Sequence, residues 1–151
     1  METLWYEDAE VGFRFSTAGR TVTEADVVNF AGVSGDFNSL HTDEEFMRDS
    51  QFGTRIAHGA LIFSMVTGLR SQTRLFERSI IAFAEVRSWR FHAPVHIGDT
   101  IHVENEVVER RTTSKPGRGL VVQQVSAVNQ RGEIVQSGQM VTMLKMREAA
   151  E

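Results

Sequence analysis

The sequence predicts an α+β domain in which a curved antiparallel sheet wraps around one long buried helix, and three observations predict it. Between His58 and Phe76 lies the longest uninterrupted segment, where Ala60, Leu61, Ile62, Phe63, Met65, Val66 and Leu69 leave almost no polar face over the first three turns. Such a helix must be buried all round. Beyond residue 80 the apolar period shortens to two, the mark of strands. One strand signal precedes the helices and about four follow them, an order that favours an antiparallel sheet over alternating β-α units.

Taken in order, a first strand is expected near 12–19. Thr23 followed by Asp26 has the spacing of a capped helix start, with Ala25, Val28, Phe30 and Ala31 as a short apolar face. This helix should run roughly ten residues and end near Gly32 or Gly35. Thr42-Asp43-Glu44-Glu45 reads as a capping box for a short helix carrying Phe46 and Met47 and stopped by Gly53. The long helix opens at Gly59. Its second half sends Arg70, Gln72, Arg74, Glu77 and Arg78 toward water while Leu75 and Phe76 stay apolar. Strands follow at 80–92, at Ile101, Val103 and Val107 against His102, Glu104 and Glu106, at 118–129, and at Met140, Thr142, Leu144 and Met146 against Val141, Met143 and Lys145. Turn signals at 95–99, 115–119 and 129–132 join them, with Gly117 and Gly119 read as a hairpin turn.

Length and composition bound the rest. With 151 residues, 41% hydrophobic and 24% charged, residues 1–151 form a single domain, and a second full domain is excluded. The absence of cysteine removes disulfides, zinc-thiolate sites, iron–sulfur clusters and cysteine nucleophiles, and points toward the cytoplasm. Net charge is −4 with no basic run longer than Arg110-Arg111, so nucleic acid is not an expected partner. The stretch Met1–Asp8 is acidic from its second residue and lacks a basic-then-apolar layout, and no apolar run approaches the roughly 20 residues of a membrane span. A cytoplasmic protein with no membrane partner is the expectation.

The chemistry concentrates in Gly35-Asp36-Phe37-Asn38-Ser39-Leu40-His41, which places an acid, an amide and an imidazole on the connection between two helices. On an irregular turn Asp36 and His41 can converge on one small molecule such as a water. The competing reading is structural, with Asp36 capping the loop and Asn38 or His41 capping the next helix. Gly59, within Ile56-Ala57-His58-Gly59-Ala60, opens the long helix with a bare backbone. The first amides of a helix have no internal partner, and their partial positive charge suits an oxygen that becomes negative during a reaction. The competing reading for Gly59 is close packing.

The Asp36-to-His41 motif, followed by Ala57-His58-Gly59 and an apolar helix, resembles the MaoC-like dehydratases and (R)-specific enoyl-CoA hydratases. The likeness covers most of the chain and continues through Trp89-Arg90-Phe91-His92-Ala93-Pro94-Val95-His96-Ile97-Gly98-Asp99-Thr100. The first motif is the specific one and the others support it. The resemblance implies a hot-dog fold, a homodimer or dimer-based oligomer with sheets joined edge to edge, and reversible syn addition of water to a trans-2-enoyl thioester. In it Asp36 and His41 activate the water, the Gly59 amide polarises the thioester carbonyl, Asn38 orients the loop or the water, and Thr67 supports the site. Thr67 has a plainer reading as a hydroxyl bonded back to its own helix. Ser39 stands where relatives often carry proline, which loosens the loop without removing a catalytic group.

No metal and no cofactor are expected, coenzyme A entering as part of the substrate. His92 and His96 have the spacing of a helical metal pair, but Pro94 between them breaks such a helix. His58 reads as a packed residue at the helix start. No serine is framed as a nucleophile elbow, and Gly117 and Gly119 lack the setting of a dinucleotide loop. Arg55, Arg87, Arg90 and Arg118 are candidates for the phosphates of an acyl-CoA, each with the alternative of a solvated surface charge. Two rivals remain beside the hydro-lyase: a hot-dog thioesterase that directs water to C1, and a noncatalytic acyl-thioester-binding subunit.

Overall fold

A computed structural model of the chain describes residues 2–150. The elements in order are β1 (Arg14–Ser16), β2 (Arg20–Thr21), α1 (Glu24–Ser34), α2 (Ser39–Thr42), α3 (Glu44–Arg48), α4 (Gly59–Gln72), β3 (Ile80–Phe91), β4 (Thr100–Thr112), β5 (Arg118–Val128) and β6 (Ile134–Lys145), with a final 3₁₀ turn at Arg147–Ala150. The strands pair antiparallel in the order β1-β4-β5-β6-β3, with β2 added to β4. This sheet packs on α4, the hot-dog arrangement expected from the sequence. Leu61, Ile62, Met65, Val66 and Leu69 of α4 meet Val103, Val125, Ala127, Val135 and Met140 of the sheet. Each such buried side chain contributes about 1.5–3 kcal/mol of transfer free energy. A second cluster, built from Leu4, Tyr6, Leu75, Phe76, Val107, Val121 and Leu144, forms a further core.

Local signals account for most boundaries. The Thr23 side chain accepts from the Asp26 amide while Asp26 accepts from the Thr23 backbone, a complete capping box for α1. Gly35, at φ +76°, ends that helix in the left-handed conformation open to glycine and delivers the chain into the Asp36 loop. The next cap lies one residue later than the spacing predicted. Asp43, not Thr42, accepts from the Phe46 amide, because Thr42 is still the last residue of α2 while Asp43 takes the extended backbone of an N-cap. The short helix α3 ends at Arg48 with Asp49 as its C-cap, before Gly53. Gly119 lies in β5 and not in the hairpin turn; a Cβ there would run into the Tyr6 ring.

Two expectations for α4 are corrected. It is not buried all round in this chain: Ala60, Ser64, Thr67 and Ser71 form an exposed stripe along one face. Ser64 and Thr67 donate their hydroxyls to the Ala60 and Ser64 carbonyls, so their polarity is spent within the helix. Arg70 does not reach for water. It is 7% exposed and turned onto the sheet, where Asn105 and Gln123 of β4 and β5 accept from it. The edge strand β3 exposes Ile80, Ile81, Phe83, Val86 and Phe91 and, among the described residues, pairs through β6 alone.

Candidate active site

The short helices after Gly35 bring the acid and the imidazole together. The Asp36 carboxylate accepts from the Asn38 amide at 3.2 Å, and the Asn38 side chain accepts from the Leu40 amide at 3.0 Å, capping α2. Both structural roles weighed for these residues are therefore present. They serve to carry His41, on α2, inward to 8% exposure, while half of the Asp36 side chain stays open to solvent. His41 Nε2 then lies 3.8 Å from Asp36 Oδ2.

Hydrogen bonding fixes which ring atom faces the acid. His41 Nδ1 lies 2.7 Å from the Ile56 carbonyl, which can only accept, so Nδ1 carries the proton and Nε2 of the neutral ring holds a lone pair toward Asp36. At 3.8 Å the two groups are too far apart to bond directly and close enough to share one water. His58, immediately before α4, supports the arrangement from below. Its ring stacks on His41 with centroids 3.7 Å apart, meets Phe30 of α1 edge-on at 5.0 Å, and donates through Nε2 to the Asp36 carbonyl at 2.9 Å. His58 Nδ1 is buried without a partner among the described residues. Asp36, His41 and His58 offer ligand-type atoms within 4.8 Å of one another. With the imidazole planes only 27° apart, their in-plane lone pairs do not converge on one ion at bonding distance.

Gly59 is the first residue of α4, so its N–H has no intrahelical acceptor. Its carbonyl accepts from Gln136 Nε2 at 2.9 Å, and Gln136 Oε1 accepts from Trp89 Nε1 at 3.0 Å, so β6 and β3 together pin the helix start. A cleft of about 370 Å³ opens there, bounded by Phe52, Ile56, Gly59, Ile62, Phe91 and Pro94. The Phe91 ring lies 2.8 Å from where a Gly59 Cβ would stand, so the close-packing reading of this glycine is also satisfied.

Thr67 is not brought into this group. Its hydroxyl donates to the Ser64 carbonyl at 2.7 Å, the plainer of its two readings, and it borders a different cavity farther along α4. Among the candidate phosphate ligands, Arg55 is already bound to Glu24 at 2.9 Å and Glu44 at 2.6 Å, tying α1 to α3, and these bonds raise its pKa. Arg87 pairs with Glu85 at 3.0 Å, and Arg118 lies beside Met143. Arg90 is exposed on β3 and is not among the residues that bound the cleft. Sequence reasoning missed Gln136 and Trp89 as anchors of the helix start. The available signal was a glutamine in the apolar stretch of a strand.

Comparison with known proteins identifies the family. The family model described as "MaoC like domain" matches residues 8–129. A 3-hydroxybutyryl-CoA dehydratase of Methylorubrum extorquens is 36% identical over 109 residues, 72% of this chain and 67% of that protein. An (R)-specific enoyl-CoA hydratase of Rhodospirillum rubrum is 38% identical over 97 residues, 64% of this chain and 65% of that protein. The matches thus span about two thirds of those relatives' length. The crystal structure of a MaoC-like dehydratase from Rhodospirillum rubrum superposes with a TM-score of 0.84 at 32% identity, covering 95% of this chain and 98% of that one. The chain belongs to the MaoC-like dehydratase family.

Proposed function

We propose that this chain is a hydro-lyase that adds water reversibly to a trans-2-enoyl-CoA, giving the (R)-3-hydroxyacyl-CoA. The observation that carries the reading is the pair of acceptors, Asp36 Oδ2 and His41 Nε2, facing each other across 3.8 Å close to a helix start. The named activities of the Methylorubrum and Rhodospirillum relatives support it.

Two acceptors can hold both protons of one water, which leaves the oxygen lone pair free to attack the β-carbon. As the O–Cβ bond forms, one water proton passes to the acid–base pair and the C=C electrons shift toward the thioester. Negative charge then builds on the thioester oxygen, where the Gly59 N–H stabilises it; a donor of this kind supplies about 3 kcal/mol in the transition state. Return of a proton from the pair to Cα completes the addition, and all atoms of the water are retained. Asn38 holds the loop, and Arg90, exposed and without an ion-pair partner among the described residues, is the arginine left for a coenzyme A phosphate.

A second copy of the chain is the proposed partner. The unpaired edge of β3, its exposed apolar side chains and the adjoining Ala60–Ser71 stripe of α4 offer a continuous surface for it. Sedimentation should give a mass of twice 17.0 kDa or a multiple of that dimer. A monomer at micromolar concentration would remove this partner assignment.

To test the activity, purified protein is mixed with a short trans-2-enoyl-CoA while the conjugated-enoyl absorbance and free thiol are followed together. Loss of the enoyl signal without thiol release is expected. Thiol release outpacing hydration would favour the thioesterase, and binding without either change would favour the acyl-binding subunit.

A further inference from the structure

A second cavity, about 360 Å³, lies between the C-terminal half of α4 and the edge strand β3, with Thr67, Arg70, Phe76, Glu77, Phe83 and Thr142 on its walls. Arg70 is the unusual member. Its guanidinium, 7% exposed, donates to Asn105 Oδ1 at 3.1 Å, Gln123 Oε1 at 3.0 Å and the Met140 thioether at 3.0 Å, and packs 5.6 Å from the Phe76 ring centre. Every one of these partners is neutral. Burial without a counter-ion pulls the guanidinium pKa down to about 10.

An arginine has five N–H donors, so two remain after these three bonds. The supporting amides form a ladder: Asn105 donates to Gln123 at 2.8 Å, and Gln123 to the Thr142 hydroxyl at 3.4 Å. Thr142, on the cavity wall, therefore retains its own O–H as a donor. A buried cation without an anion is harder to accommodate than an apolar side chain of similar size. Three strands nevertheless supply polar groups that hold it. Glu77 on the rim is exposed and its charge is screened by water, so the field inside follows Arg70.

We propose that this cavity binds a carboxylate through Arg70, and that the carboxylate is the distal end of the acyl group being hydrated. The second clause rests on the hydro-lyase reading. Gln136, bonded to the Gly59 carbonyl, and Met140, bonded by the Arg70 guanidinium, stand four residues apart on β6, which separates the two ends by about 13 Å. A chain of about eight carbons with a hydrogen bond at each end spans that gap, and the Ala60, Ser64 and Thr67 face of α4, roofed by the proposed second copy, provides the floor along which it lies. The substrate class is thus a CoA monothioester of a medium-length enedioic acid.

The test compares the wild-type protein on trans-2-octenedioyl-CoA, its terminal methyl ester and trans-2-octenoyl-CoA, and measures thermal stabilisation by free adipate without turnover. The free carboxylate should raise kcat/KM by on the order of 10- to 100-fold over both neutral-ended substrates. Arg70→Met should bring that ratio close to one and abolish the adipate shift, while Arg70→Lys retains part of both. If Arg70→Met does not fold, the wild-type contrast between the acid and its methyl ester decides alone. Equal rates on all three substrates together with no adipate shift would overturn the proposal. An Arg70-dependent adipate shift without kinetic preference would keep the anion site and overturn its assignment to the acyl group. An adipate shift with no hydration of any thioester would keep the site and sink the hydro-lyase reading.

Discussion

Asp36→Asn should lower kcat for enoyl-CoA hydration by about 10²–10⁴-fold, the usual contribution of a positioned acid–base group, while changing stability by no more than about 0.5 kcal/mol. The two effects separate because of where Asp36 sits. Half of its side chain is exposed, and the local bond it makes is acceptance from the Asn38 amide, which an asparagine Oδ1 also accepts. Asn keeps the turn and removes the base. His41→Ala should abolish a comparable part of the rate, but it also empties a buried position stacked on His58 and leaves the Ile56 carbonyl without its donor. Asp36→Asn is therefore the cleaner variant, with kcat and the urea midpoint measured on the same preparation. A large loss of stability with unchanged kcat would mean that Asp36 only caps the loop.

His58→Ala should have the largest effect on the fold around the site. The ring is 2% exposed, packed between Phe30 and His41, and its Nε2 donates to the Asp36 carbonyl. Removing it deletes that bond and leaves a cavity, with an expected loss of about 2–5 kcal/mol in chemical denaturation. Activity should fall as well, because the Asp36 loop and the His41 ring both rest on it. His58→Gln retains an N–H donor and should recover part of kcat without restoring the stack, as expected of a positioning residue. Equal stability of His58→Ala and wild type would contradict this role.

Much of this arrangement was legible in the chain itself, for local reasons. Thr23 with Asp26, and Gly35, mark the two ends of α1 through backbone hydrogen bonding that a short window contains. The spacing of Asp36, Asn38 and His41 likewise encodes a compact turn that folds largely on its own contacts. The cap shift from Thr42 to Asp43 shows the limit of such a window, since both residues can cap and the choice depended on α2 running through Thr42. Arg70 was misread because helical periodicity cannot tell an arginine in water from one received by amides on strands 35 and 53 residues away. Gln136 and Trp89 were missed for the same reason: their value lies in a chain of bonds to Gly59 that only the closed sheet creates. The bare face of α4 is the surface proposed above for a second copy, and no periodicity in one chain reveals such a role.

The central claim, that Asp36 and His41 direct a water to the β-carbon of an enoyl thioester, is tested most directly by running the reaction in ¹⁸O-water with a short trans-2-enoyl-CoA. The account predicts a single ¹⁸O at the C3 hydroxyl of an intact (R)-3-hydroxyacyl-CoA, with labelling suppressed in Asp36→Asn. Appearance of ¹⁸O in a free carboxylate with release of coenzyme A, and none at C3, would contradict it.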